Sequence, residues 1–155
     1  KALEYGYNPE LVLAGRRIND SMSYWVVEQV VLELVKRDIN VKDSNVLVLG
    51  FSFKENCPDI RNTKVVDLIN ELKKYCINTT VVDKKVDPSD SKKYYSIETY
   101  RNIPNEQKYS AVIVTLADKE YIEFDNEKWK SLIVQDGFFF DIKGILQGEL
   151  KPIRM

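Results

Sequence analysis

No histidine occurs among the 155 residues of this chain. That absence removes the commonest general base and the commonest neutral metal ligand. The two cysteines, Cys57 and Cys76, lie far apart and support neither a disulfide framework nor a structural zinc site. Such sparse cysteine suits a reducing compartment, so the expected location is cytoplasmic. No apolar run approaches the ~20 residues of a membrane span, and no basic-plus-apolar signal segment opens the sequence. Charge of one sign is also missing. A net charge of −1 gives no pull towards nucleic acid or an anionic membrane, so neither is expected as a partner. Any basic site must be local, assembled from a few lysines and arginines by the fold.

What is present reads as soluble and globular, with 44% apolar and 30% charged residues. The length fits one domain, or one domain plus an appended element. The sequence enters patterned residues directly at Lys1, as expected of a piece of something longer. Asn8-Pro9-Glu10 is a helix start: an Asx cap, proline at the first helical position and an acid in the first turn. Apolar residues then recur from Leu11 through Met22, Trp25, Val26, Val30 and Leu34 to Val35, with Lys36 and Arg37 suiting a C-terminal end. The helix should therefore run about 28 residues, or ~42 Å. Such a helix cannot hide its surface on one small domain, and we expect residues 1–43 to act as a connector that also packs against another domain or a partner chain.

After Asp43-Ser44 the period changes. Val46–Leu49, Thr79–Val82, Ala111–Leu116 and Phe138–Phe140 read as buried strands. Thr63 is the expected cap of a helix in which Val65, Val66, Leu68, Ile69, Leu72 and Tyr75 recur at helical spacing, and Asn126 the expected cap of a short helix with Trp129 and Leu132. Between these, residues 84–93 read as loop, Tyr94 and Tyr95 as a short edge strand, and residues 98–103 as a short helix. Strands alternating with helices predict an α/β, Rossmann-like parallel sheet with helices on both faces, spanning residues 44–155.

Ligands of such sheets bind beyond the carboxyl ends of the strands. Lys54 and Arg61 follow the first strand and Lys143 the last, so three cations converge where they could neutralise a phosphate or diphosphate. The turn after the first strand is not a GxGxxG fingerprint, because Gly50 is its sole glycine. Asp83, at the place where a dinucleotide domain would hold a ribose, is then a turn-forming aspartate, and this sheet is not expected to hold NAD by itself. Cys57 has the setting of an activated nucleophile, but no histidine can activate it and no helix N-terminus adjoins it before Asn62 or Thr63. It is read as structural, Cys76 as core, and Trp25 and the tyrosines as packing.

The segment FSFKENCPDIRNT, Phe51 to Thr63, resembles the UDP-glucose/GDP-mannose dehydrogenase family, closest to the branch that oxidises UDP-N-acetylhexosamines. GYNPELVLAGRRINDSM and FFFDIKGIL match in the expected order at either side. The resemblance implies an NAD-dependent nucleotide-sugar 6-dehydrogenase of surface polysaccharide synthesis, of which this is the C-terminal part. It implies that Phe53 and Lys54 contact the UDP-sugar and that Arg61 reaches NAD held by a separate N-terminal domain. Lys143 stands where the family often has a substrate-binding arginine, keeping the charge but losing the bidentate fork. It also implies a homodimer through the long helix. The family's cysteine nucleophile lies in a glycine-rich motif that these residues do not contain, so no catalytic residue is assigned here, and the 155 residues are expected to be inactive alone. A UDP-glucose 6-dehydrogenase fragment and a non-catalytic dimerisation or nucleotide-binding module are the alternatives. A receiver-type signalling domain would need an acidic pair where Gly50-Phe51 stands.

Overall fold

The computed structural model describes residues 10–105 and 107–155. Helix α1 runs Glu10–Lys36, followed by β1 (Asn45–Leu49), α2 (Val65–Lys74), β2 (Asn78–Val82), α3 (Pro88–Tyr95) and β3 (Thr99–Tyr100). Then come β4 (Tyr109–Val114), α4 (Lys119–Ile122), α5 (Asn126–Ser131) and β5 (Ile133–Asp141). The five strands form one sheet in the order β3-β2-β1-β4-β5, and every pairing is parallel. This is the predicted α/β class.

The pleat sends alternate residues to opposite faces, and a core covers each. Val46, Val48, Val81, Ala111, Ile113, Phe138 and Phe140 meet α1 and α2 on one side. Leu47, Leu49, Val82, Val112, Val114 and Phe139 meet Tyr121, Trp129 and Leu132 on the other. There Tyr121, Phe124, Trp129 and Phe139 pack edge to face in succession at 5.9, 5.1 and 5.9 Å, a preferred arrangement of ring quadrupoles.

The cap expected at Asn8 and Pro9 lies outside the described residues. Within α1, Val26, Val27, Val30 and Leu34 belong to the core, so the second half of the helix is part of the sheet's own packing. The half before Ser23 contributes no buried side chain among those described.

Several local expectations are corrected. Residues 88–95 are helical rather than loop followed by strand: Pro88 takes the first turn and the Asp87 carboxylate accepts the Ser89 N–H at 2.9 Å. Its face is so polar that no apolar period marks it. The edge strand is Thr99–Tyr100, occupying residues read as a short helix; Thr99 is buried and its Oγ1 lies 2.8 Å from the Ser91 hydroxyl. Asp125, not Asn126, caps α5 by accepting the Lys128 N–H at 2.7 Å. Lys64 holds the cap position of α2, while the Thr63 hydroxyl still accepts the Val65 N–H at 3.3 Å. Cys76 is exposed rather than core, because the chain leaves the helix at Tyr75 and Cys76 turns left-handed with φ 57°.

Candidate functional site

The strand order reverses at β1, whose neighbours are β2 and β4. At such a switch point the loops leaving adjacent strands part and open a crevice. The loop after β1 begins at Gly50, with φ +98°. A Cβ there would lie 2.7 Å from Leu116 Cβ and 2.8 Å from Thr115 Oγ1, so only glycine lets the two loops touch. Thr115 secures the contact, its hydroxyl within 2.7 Å of the Leu49 carbonyl and 2.8 Å of the Gly50 carbonyl.

Asp83 fixes the next residues. It is fully buried, and its Oδ2 accepts the N–H groups of Phe51 and Ser52 at 2.9 and 3.0 Å. Its Oδ1 accepts those of Lys85 and Val86 at 3.0 and 3.3 Å. The carboxylate is thus committed to backbone, as read from the sequence, and offers no ribose-binding group. Further along, the Phe53 N–H donates to the Asp59 carbonyl at 2.7 Å. The Asn56 N–H donates to Asp118 Oδ1, and Asn56 Oδ1 accepts the Lys119 N–H at 3.3 Å. Burial pushes the Asp118 carboxyl above its ordinary pKa, against the pull of that Asn56 N–H.

A pocket of about 340 Å³ opens beside this loop. Phe53 and Lys143 line it together with Ser52, Asn19, Lys64 and Thr115. Phe53 is 58% exposed, an aromatic face left uncovered at the mouth. Lys143 Nζ sits 2.7 Å from Glu55 Oε1. Lys54, next to Phe53, is exposed and makes no ion pair with any described residue. Arg61 is elsewhere: it lines a second hollow with Asp59, Tyr94 and Tyr95. Its guanidinium grips Asp59 at 2.7 Å with its side chain 85% exposed, and holds that carboxyl at about 2. The structure therefore brings Phe53 and Lys143 to one pocket, leaves Lys54 next to Phe53 in the chain, and sets Arg61 in a separate hollow.

Ser52 and Lys64 carry no signal by which sequence reasoning could single them out, and Thr115 is marked only by its place at the carboxyl end of a strand. Asn19 falls within a motif whose ligand role the sequence left open. Arg17 is exposed on α1. Cys57 is half-buried in the loop, a free thiol with no histidine anywhere in the chain to activate it. Among the described residues no group of histidine, cysteine, aspartate and glutamate could hold a metal ion, and no helix is long and apolar enough to cross a membrane.

An open parallel sheet with an aromatic and cations gathered at its switch point has the chemistry to take an anionic, partly apolar ligand. Residues 47–148 match the UDP-glucose/GDP-mannose dehydrogenase family, UDP binding domain. The chain belongs to that family and carries its UDP-binding domain. It is 37% identical, over its whole length, to the UDP-N-acetyl-D-glucosamine 6-dehydrogenase of Salmonella typhi, and 40% identical over 96% of its length to Protein CapL of Staphylococcus aureus. It spans 36% and 35% of those relatives. Its fold is similar to that of the NDP-N-acetyl-D-galactosaminuronic acid dehydrogenase of Methanosarcina mazei Go1. The TM-score is 0.78 at 19% identity, over 89% of this chain and 28% of that one.

Proposed function

We propose that these residues supply the nucleotide-sugar half of an NAD-dependent dehydrogenase that oxidises C6 of a UDP-N-acetylhexosamine twice, from alcohol to carboxylate, for surface polysaccharide synthesis in the cytoplasm. The observation that carries the reading is the pocket at the switch point, lined by uncovered Phe53 and by Lys143, with exposed Lys54 next to it in the chain, inside a UDP-binding domain. Phe53 would pack on the sugar or base. Lys54 and Lys143 would hold the diphosphate, where charge-assisted bonds are strong.

NAD does not fit this sheet, since its β1 turn has one glycine and Asp83 is saturated by four N–H groups. The cofactor would sit on another domain, with exposed Arg61 reaching towards it. The 155 residues alone would then bind UDP weakly and turn nothing over. Calorimetry should show UDP binding that Lys54→Ala weakens roughly 10- to 100-fold, the worth of one charged hydrogen bond. Unchanged affinity in that variant, or NADH formed from UDP-sugars by the purified chain, would overturn the reading. Absence of any UDP binding would favour a non-catalytic interaction module.

Residues 1–43 would connect the two domains and, through α1, pair two copies. Ile18, Trp25, Leu32 and Val35 are exposed apolar residues on that helix, an uncovered surface of the kind that marks an interface. Sedimentation should find dimers, and a monomer at high concentration would count against the pairing.

A further inference from the structure

One contact ties the pocket-lining Lys143 to the loop that carries Phe53 and has no part in the roles assigned so far. Glu55 lies on the loop after β1 and Lys143 on the turn after β5, yet Oε1 and Nζ are 2.7 Å apart with side chains 34% and 37% exposed. Each partner stands on a backbone held independently of the pair. Asp141, buried, accepts the Gly144 N–H at 2.8 Å and the Leu146 N–H at 2.9 Å, which shapes the Lys143 turn. The Glu55 loop is anchored by the Phe53–Asp59 and Asn56–Asp118 hydrogen bonds. The carboxylate is thus delivered to the ammonium by the fold, and Lys143 in turn keeps Glu55 ionised by lowering its pKa. A pair this exposed is worth ~0.2–1 kcal/mol, so a stronger anion can part it.

We infer that Glu55 is an internal competitor for the ligand's diphosphate: its carboxylate occupies Lys143 while the pocket is empty and must swing aside when a phosphate takes the ammonium. The inference rests on the reading of this pocket as a nucleotide-sugar site. It makes Glu55 a specificity-determining residue, because a neutral ligand such as uridine cannot open the pair and gains nothing from Lys143.

The experiment is a four-way calorimetric cycle with UDP on the 155-residue chain. It uses the unaltered protein, Glu55→Gln, Lys143→Ala and the double variant, with melting temperatures confirming that each folds. Glu55→Gln should tighten UDP roughly two- to fivefold, and should leave any uridine binding unchanged. The gain should shrink or vanish when Lys143 is absent, so that the two substitutions couple. In carboxyl-carbon NMR the Glu55 pKa should rise on saturation with UDP, as its partner is taken. A gain equally large without Lys143, or no gain at all, overturns the competitor role. UDP binding that Lys54→Ala weakens but Glu55→Gln leaves alone sinks this inference only. Failure of the unaltered chain to bind UDP sinks it together with the nucleotide-sugar reading.

Discussion

Replacing Asp83 by alanine is expected to destabilise the domain by about 4 kcal/mol and to release the loop that carries Phe53 and Lys54. The carboxylate is fully buried and accepts four backbone N–H groups, two from each of the turns after β1 and β2. A hydrogen bond to a charged group contributes ~1.5–3 kcal/mol, and each buried donor left without a partner costs ~1–3 kcal/mol. Partial solvation of the loosened turns keeps the total below the sum. In a chain of this size the loss should lower Tm by roughly 8–16 °C. Asp83→Asn separates shape from charge, since an amide keeps one oxygen for two of the donors and points its own N–H groups at the other two. It should cost about 2 kcal/mol. Urea denaturation of the three proteins checks both numbers, and unfolding free energies within about 1 kcal/mol of each other, on the order of the mean mutational effect, would refute the anchor. UDP affinity should fall with stability, because Phe51 and Ser52 lead directly into the binding loop.

Gly50→Ala is the second large effect expected. Its cause is steric where that of Asp83→Ala is polar. At φ +98° an alanine is strained, and the added methyl would sit 2.7 Å from Leu116 Cβ and 2.8 Å from Leu116 Cγ and Thr115 Oγ1. Backbone strain of ~1–2 kcal/mol and overpacking of ~1–3 kcal/mol together predict a loss of about 3 kcal/mol. The loss should have an address. Hydrogen exchange should quicken at Phe51 to Phe53 and at Thr115, while the amides of α2 keep their protection. A variant that melts like the unaltered protein, with those amides unmoved, would show that the loops after β1 and β4 do not need to touch.

The parts of this molecule written in local pattern were readable from the sequence. The apolar runs of β1, β2, β4 and β5 and the periodic face of α2 gave the parallel sheet, and the sheet gave the end at which ligand would bind. Asp83 was legible as a turn residue from the lack of glycines around Gly50, though not as the acceptor of four N–H groups. Helix α3 was missed because Ser91 is its only buried residue, so it owes its place to the Asp87-Pro88 cap and leaves no hydrophobic period. Cys76 was misplaced for a related reason: one left-handed residue takes it off the helical face that its spacing implies. The site was half legible. Residue type and strand end named Lys54, Lys143 and Arg61, and the family resemblance added Phe53, but nothing local says that Glu55 neutralises Lys143, or that Arg61 turns to Asp59 in a different hollow.

The switch point also governs when the site can exist. Thr115 and Leu49, whose hydrogen bond closes the two loops together, are 66 residues apart along the chain, and β1 pairs with β4 across the same gap. Pairings of that span form slowly, since the loop-closure entropy is lost before the contacts return anything. As the polypeptide is made, the segment bearing Phe53 and Lys54 emerges well before the strands that wall it in, and its partner carboxylate Glu55 waits still longer for Lys143. Until β4 and β5 dock, β1 is an apolar strand with an open edge, the kind of surface that draws other chains. The ligand pocket thus cannot close until β4 and β5 have docked.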